Sequence, residues 1–244
     1  NITLPMSFDQ RVSWAVPKNT PQLAEALDSG SEKYDKTQGF KSINKRYFEL
    51  SKRPLIDEFE LPKGLPKGAI SPYDDLFKKH TQNTSYDWAF LAAMSYHESR
   101  FINNKKSWVG AAGIMGLMPR TAKSLGLKDE DRMNPDLSIG AAVLLLDRLN
   151  NIFKDVKDPA ERLKFMLAAY NGGDGHIRDG QNLAAKYGAN QYIWNNNVRK
   201  FVLLKRNPAY FNDPVCKNGY FRGSETVKYV DDVLNTAERF RKGL

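Results

Sequence analysis

The 244-residue sequence has little cysteine or histidine and no long hydrophobic run. Its only cysteine, Cys216, cannot form a disulfide within the chain, so cysteine content does not distinguish an oxidising from a reducing compartment. The three histidines are too widely spread for metal-ligand spacing, and we expect neither a metal nor a cofactor. The longest aliphatic runs, such as Leu144–Leu146, cannot cross a bilayer, and we predict a soluble chain.

Motifs of nucleic-acid-binding proteins are also missing. We find no RNP sequence, zinc finger or helix-turn-helix signature, and the basic residues are scattered along the chain. Lysine and arginine nevertheless exceed aspartate and glutamate by nine. This excess favours an anionic partner, although a solvated basic surface is the commoner explanation. Without a supporting motif, we do not expect nucleic acid as the partner.

The N-terminal part of the chain differs in texture from the rest. Within residues 1–52, alternating apolar residues from Val12 to Val16 predict a strand, Pro21 starts a predicted helix, and a second helical pattern covers Phe40–Phe48. So few elements cannot bury a core of their own, and we interpret 1–52 as a fragment of a larger α/β lobe. Residues 53–69 are rich in proline, glycine and charge, which predicts a linker.

Helical signals dominate residues 70–244. Ser71 is followed by a proline and a capping acid, which predicts a helix start. Asn134 and Asp158 each precede a proline and an amphipathic run, and Ser224 begins the last predicted helix. The periodicity therefore predicts a mainly α domain.

The most informative predicted helix covers Ser85–Phe101. Leu91 and Met94 share a helix face with Glu98. The helix dipole disfavours an anion at this C-terminal position and partial burial acts in the same direction, so we expect a raised Glu98 pKa. A carboxyl group that is neutral near pH 7 can protonate a glycosidic oxygen. The alternative, which this helix alone favours, is an ordinary glutamate neutralised by Arg100.

A loop with three glycines follows at Gly110–Pro119. Its small residues let the backbone approach a ligand closely. Met115 and Met118 are candidates for lining a sugar site, although methionines at this spacing are more often part of a core. The loop leads into a short predicted helix through Thr121 and Leu125 that ends at Gly126.

Several short motifs occur together in one order. They are Glu98-Ser99-Arg100-Phe101, Ser107, Gly110-Ala111-Ala112-Gly113, Met118-Pro119-Arg120-Thr121-Ala122 and Ala169-Tyr170-Asn171-Gly172-Gly173. Their order and spacing resemble the catalytic domain of the soluble lytic transglycosylases. The later run Gly219–Val230 resembles the membrane-bound lytic transglycosylase F branch of that family.

The resemblance implies a mainly α, lysozyme-like fold with Glu98 as both catalytic acid and base. It implies that Ser107 and Met118 contact the sugars. It also implies that Tyr170, with Asn171 in the same motif, binds substrate near the carboxylate and orders the acetamido sugar. As the last apolar residue on its helix face, Tyr170 is equally suited to a structural role.

Other positions differ from the family pattern or have two competing interpretations. The resemblance implies that Glu225 supports the substrate cleft by hydrogen bonding, but its place in a first helical turn favours a capping role. Many family members have glutamine where this chain has Gly116, so a side-chain hydrogen bonder is missing from the expected sugar site. We interpret His97 and His176 as structural.

The implied reaction is cleavage of the β-1,4 bond between N-acetylmuramic acid and N-acetylglucosamine, with formation of 1,6-anhydromuramic acid ends. A hydrolytic muramidase of the same fold and a catalytically weakened wall-binding module are the alternatives. The implied partner is the peptidoglycan glycan strand, and we expect a monomer.

The resemblance extends less specifically to residues 1–52, which look like the closing part of a solute-binding-like lobe. A muropeptide or another small ligand is the expected partner of that lobe. We expect a periplasmic protein that is attached to the outer membrane through a segment outside this sequence.

Overall fold

The computed structural model describes residues 16–17, 19–37, 40, 60–107 and 109–243. The chain divides into two compact units, 1–59 and 60–244, and the boundary falls inside the predicted linker. In the first unit, helix α1 covers Pro21–Asp35 with its proline in the first turn, as predicted. The predicted strand and the Phe40–Phe48 helix fall almost wholly outside the described residues, so the assignment to a solute-binding-like lobe stays a prediction.

The described part of the second unit is helical, with two isolated β-bridges in the glycine loop. A 3₁₀ turn (Glu130–Met133) and a π-helical segment (Trp194–Val198) accompany the α-helices. The α-helices are α2 (Asp74–Thr81), α3 (Trp88–Ser99), α4 (Pro119–Ser124), α5 (Pro135–Ile152), α6 (Pro159–Gly172), α7 (Asp174–Lys186), α8 (Arg199–Leu204), α9 (Pro208–Phe211) and α10 (Ser224–Arg241). The mainly α prediction is confirmed.

Local capping signals place several helix starts. The Asn134 side chain accepts hydrogen bonds from the first amides of α5, and Asp158 does the same for α6, as predicted. The Asp74 side chain accepts hydrogen bonds from the amide and hydroxyl of Ser71, and the Ser71 hydroxyl accepts one from the amide of Tyr73. Helix α2 itself begins at Asp74, later than the sequence indicates. The final helix begins at Ser224 as predicted, without a side-chain cap.

Helix α3 is the centre of the second unit. Residues 89–96 are all buried, and α3 packs against α2 and α10. Leu91 and Met94 are buried, as their place on an apolar face predicts, and the other residues of 89–96 are buried with them. Within the described residues, no helix is long and apolar enough to span a membrane.

The region from α7 to α9 is the part of the fold that the sequence analysis did not predict. Helix α7 contains Gly175 and Gly180, which weaken a helical signal. A Cβ atom at Gly180 would lie 2.8 Å from Cγ2 of Val202, so this glycine is needed for the close packing of α7 on α8. The π segment contains Asn196 at a positive φ of 59°, an irregularity with no periodic signature.

Candidate active site

Glu98 lies in the last turn of α3, as the sequence predicts. The helix ends at Ser99, and Arg100 follows in the left-handed conformation. Ser99 is buried, whereas Glu98 keeps part of its surface exposed. Glu98 is therefore half-buried at the end of a helix whose preceding residues are largely closed to solvent.

The carboxyl group of Glu98 has a pKa raised from 4.5 to about 7. Burial among protein atoms is the largest cause, while contact with Tyr229 and the charge of Lys105 lower the pKa. The expected direction is confirmed, with burial as its largest cause. A group with this pKa exists in both protonation states near neutral pH, as a general acid and base must.

The glycine loop is fixed directly to the catalytic helix. The hydroxyl groups of Ser95 and Ser99 both donate to the carbonyl of Ile114, at 3.1 and 2.8 Å. Ala112 and Leu117 exchange two backbone hydrogen bonds of 3.0 Å across the loop. The two serines were not predicted as site residues, although their four-residue spacing places them on one helix face.

Arg132 holds the same loop from the other side. Its buried guanidinium donates to the carbonyls of Gly110 and Leu117, at 2.6 and 2.8 Å, and forms an ion pair with Asp129. No local signal marks this residue, because its acceptors lie fifteen and twenty-two positions away. The loop backbone is therefore rigidly placed beside Glu98.

Gly116 lies against the catalytic carboxyl group. A Cβ atom at this position would overlap Oε2 of Glu98 and would lie 3.1 Å from its Cδ. The φ of Gly116 is 62°, which also favours glycine. Because Gly116 has no side chain, the Glu98 carboxyl occupies the position that a Cβ atom would take. The sequence did not predict this contact.

Gly116→Ala should impair catalysis more than it impairs folding. The left-handed φ costs alanine about 1–2 kcal/mol, and the new methyl group must displace the carboxyl. We expect kcat to fall about tenfold to a hundredfold, since small misplacements of a reacting group have effects of this size. The control is Gly126→Ala, where φ is 84° but no atom lies within 4 Å of the added Cβ. Equal activity losses in the two variants would show that contact with Glu98 is unimportant.

Two tyrosines flank Glu98. The Tyr170 hydroxyl donates to the carbonyl of Met115 at 2.8 Å, which fixes its ring to the glycine loop. Burial and the charge of Glu98 hold the pKa of Tyr170 well above its usual value, so the phenol is neutral. The two side chains are thus close enough to interact, as the resemblance implies.

Tyr229 of α10 is a site residue that the sequence analysis missed. Its hydroxyl is buried and interacts with the Glu98 carboxyl, without forming a hydrogen bond of standard geometry to another described group. Burial and Glu98 raise the pKa of Tyr229 well above its usual value. The residue is more than a hundred positions from Glu98, and only the packing of α10 on α3 brings them together.

Two other predicted substrate residues, Asn171 and Glu225, lie on α6 and α10. Asn171 is exposed, and its Oδ1 accepts a hydrogen bond of 2.7 Å from the buried Thr226, a contact that the sequence analysis missed. Glu225 is exposed in the first turn of α10, which suits a favourable interaction with the helix dipole. Substrate binding by Asn171 and Glu225 stays a prediction.

Ser107 and the two loop methionines have different environments. The Ser107 hydroxyl accepts a hydrogen bond of 2.9 Å from the amide of Ala111 and helps to close the loop. Met115 is fully buried and belongs to the core, whereas Met118 is 40% exposed at the start of α4. Met118 can therefore meet a ligand, and its contact with sugar, like that of Ser107, stays a prediction.

The two singled-out histidines make packing contacts. His97 shares a hydrogen bond of 2.8 Å with Thr236. The ring of His176 stacks on Phe221 at 4.3 Å between centroids. Both arrangements agree with structural roles.

The glycine loop, Glu98 and Tyr170 all lie in a segment with a recognisable family. Residues 75–193 match the family model of the transglycosylase SLT domain. This match confirms the resemblance drawn from the motifs.

Several curated proteins similar to the chain are named membrane-bound lytic murein transglycosylase F. The protein from Desulfosudis oleivorans is 31% identical over 235 residues, which are 96% of this chain and 50% of the relative. The protein from Shewanella loihica is 33% identical over 227 residues, which are 92% of this chain and 46% of the relative. The chain thus spans about half the length of these relatives.

Among solved structures, the 70 kDa soluble lytic transglycosylase SLT70 from Escherichia coli is also similar. It is 24% identical, and the alignment covers 70% of this chain and 24% of that chain with a TM-score of 0.45.

Proposed function

We propose that the chain is a lytic transglycosylase that cleaves peptidoglycan glycan strands between N-acetylmuramic acid and N-acetylglucosamine. The observation that carries the proposal is Glu98, whose pKa is about 7, at the base of a fixed glycine loop. Glu98 lies within the segment that matches the SLT domain family, and this family supplies the substrate class. The names of the relatives support the same reaction.

The surroundings of Glu98 favour a mechanism with one carboxyl group. Besides burial, which is the largest cause, the groups that shift its pKa are Tyr229 and Lys105, and no carboxylate of the described residues is among them. Ordinary glycosidases use two, one as the acid and the other as the nucleophile or base. A single group that changes protonation state can perform both proton transfers in sequence.

The proposed reaction consumes no water, and the two products together contain all the atoms of the cleaved strand. Glu98 gives its proton to the glycosidic oxygen, and the bond from that oxygen to C1 of N-acetylmuramic acid breaks. The resulting carboxylate then takes the proton of the 6-hydroxyl group of the same sugar. The 6-oxygen bonds to C1, which closes the 1,6-anhydro ring and returns Glu98 to its acid form.

Product analysis tests this proposal. Purified sacculi are digested, and the muropeptides are analysed by mass spectrometry beside a digest made with a hydrolytic muramidase. We expect muramic acid ends that are one water lighter than the hydrolytic products. Reducing muramic acid ends from this chain would instead identify a hydrolase and contradict the proposal.

The proposal also covers the location of the protein and its N-terminal part. We place the protein as a monomer in the periplasm, where peptidoglycan lies, with attachment to the outer membrane outside this sequence. The relatives' names, which include "membrane-bound", support a membrane-associated protein. We further propose that 1–52 belongs to a solute-binding-like lobe that takes a small ligand such as a muropeptide.

A further inference from the structure

Two adjoining cavities on the second unit form a groove outside the site described above. Their volumes are about 440 and 320 Å³, and both are lined by Leu203 and Arg206 of the α8 region. Lys200 lines one cavity, and Tyr220 and Arg222 line the other. We call these five residues the basic groove.

The positive charge of the basic groove is not neutralised. Lys200, Arg206 and Arg222 are exposed, and none forms an ion pair with another described residue. Arg199 at the edge is different, because it forms an ion pair of 2.7 Å with Asp231. No acidic side chain lines either cavity. Three cations that line two adjoining cavities without an ion-pair partner among the described residues are suited to an anionic ligand.

The groove also has an apolar component. Leu203 is 37% exposed and Tyr220 is 58% exposed. An inorganic phosphate polymer has no apolar part to place on these side chains. A short peptide with carboxylates and methyl groups matches both features, because arginine binds carboxylates through paired hydrogen bonds.

One short segment joins the groove to the active site. The amide of Phe221 donates to the carbonyl of Lys205 at 3.2 Å, which attaches residues 220–224 to the end of α8. On its other side, Phe221 is so close to α6 that a Cβ atom at Gly172 would lie 2.6 Å from its ring. Gly172 directly follows Asn171, which lies beside Thr226. Residues 220–224 thus lie between the end of α8, which lines the groove, and the end of α6, which carries Asn171.

The wall of the groove is fixed before any ligand binds. The ring of His176 stacks on Phe221 and helps to fix residues 220–224. Lys205, whose carbonyl receives the Phe221 amide, is completely buried in an ion pair with Asp179. A preformed wall lowers the entropic cost of binding.

We propose that the basic groove binds the carboxylate groups of the peptide stems that branch from the glycan strand. This proposal rests on the proposed function, because the stem is attached to the same N-acetylmuramic acid whose bond Glu98 cleaves. Arg206 and Arg222 bind the stem carboxylates, and Leu203 and Tyr220 contact its apolar side chains. The groove thus makes stem-bearing strands better substrates than bare strands.

The test compares glycan strands that carry stems with strands from which an amidase has removed them. The variant is Arg206→Gln/Arg222→Gln, and the matched control is Lys128→Gln/Lys154→Gln, which removes two exposed charges elsewhere. We expect the wild type and the control to cleave stem-bearing strands with a kcat/KM about tenfold higher than bare strands. The groove variant should lose this preference and keep the wild-type rate on bare strands.

Binding measured in the Glu98→Gln background separates the groove from the reaction. Stem-bearing strands should bind more tightly than bare strands, and the groove substitutions should remove the difference. If the wild type cleaves neither substrate, the proposed function fails, and this binding measurement still decides the role of the groove. Equal binding or cleavage of the two substrates overturns the groove proposal alone. So does a groove variant that loses binding to polyphosphate but keeps its preference for stems.

Discussion

We expect Glu98→Gln to lower the rate of glycan cleavage by at least about 10²–10⁴-fold, the usual contribution of one general acid or base. Glutamine keeps the size of the side chain but can neither give a proton to the glycosidic oxygen nor take one from the 6-hydroxyl group. Because both proton transfers are assigned to Glu98, the loss should exceed the lower end of this range. Release of soluble muropeptides from sacculi measures the rate.

The same variant should still bind sacculi in a sedimentation assay, because the loop and tyrosines around position 98 are unchanged. Glu238→Gln is the control, since Glu238 is an exposed carboxylate paired with Lys242 on the outer part of α10. It should retain wild-type activity. Equal lysis by the wild type and Glu98→Gln would remove Glu98 from the mechanism.

The raised pKa also predicts how the variant responds to pH. Burial raises the pKa of Glu98 from 4.5 to about 7, so its contribution to stability is full below pH 4.5 and is lost as the pH rises through 7. The full difference is about 3 kcal/mol, which partial exposure reduces to about 1–2 kcal/mol. Glu98→Gln should therefore be more stable than the wild type at pH 8 and similar at pH 4. Over the same range, wild-type kcat/KM should fall as the acid form disappears above pH 7.

Local sequence signals predicted the parts of the fold that depend on neighbouring residues. Asn134 and Asp158 cap their helices because each side chain reaches amides only two or three positions away. The place of Glu98 at the end of α3 follows from the same short-range pattern. The family motifs then indicated that Tyr170 lies nearby, which periodicity alone could not.

Long-range packing determines what the sequence did not predict. Tyr229 and Thr226 reach the site only because α10 packs on α3 and α6. The need for glycine at position 116 depends on where the Glu98 carboxyl points, which only the tertiary structure determines. Lys205 is a further case, since no sequence pattern indicates that a lysine beside Arg206 is fully buried.

Lys205→Met should be the most destabilising of the substitutions considered, by about 3–5 kcal/mol. Methionine fills much of the same volume, but it leaves the buried carboxylate of Asp179 without its cation. Asp179 would keep only its hydrogen bonds of 2.9 Å from the amides of Lys217 and Asn218. Urea denaturation at pH 7 measures the loss. Lys79→Met is the control, since Lys79 and its partner Asp136 are both exposed and such pairs contribute about 0–1 kcal/mol.

The pH dependence of this loss distinguishes an unpaired charge from poor packing. Burial raises the pKa of Asp179, but Lys205 and the two amides lower it more, so the pKa lies below its ordinary value. The wild type therefore gains stability from Asp179 above the ordinary pKa and loses it as the pH falls. Without Lys205 the pKa of Asp179 should rise, so Asp179 takes up a proton in acid and the stability deficit of the variant should shrink towards pH 4.

Adding Asp179→Asn should recover part of the loss at pH 7, because the amide is neutral and still accepts a backbone hydrogen bond. A deficit that is constant with pH and unchanged by Asp179→Asn would assign the loss to packing instead.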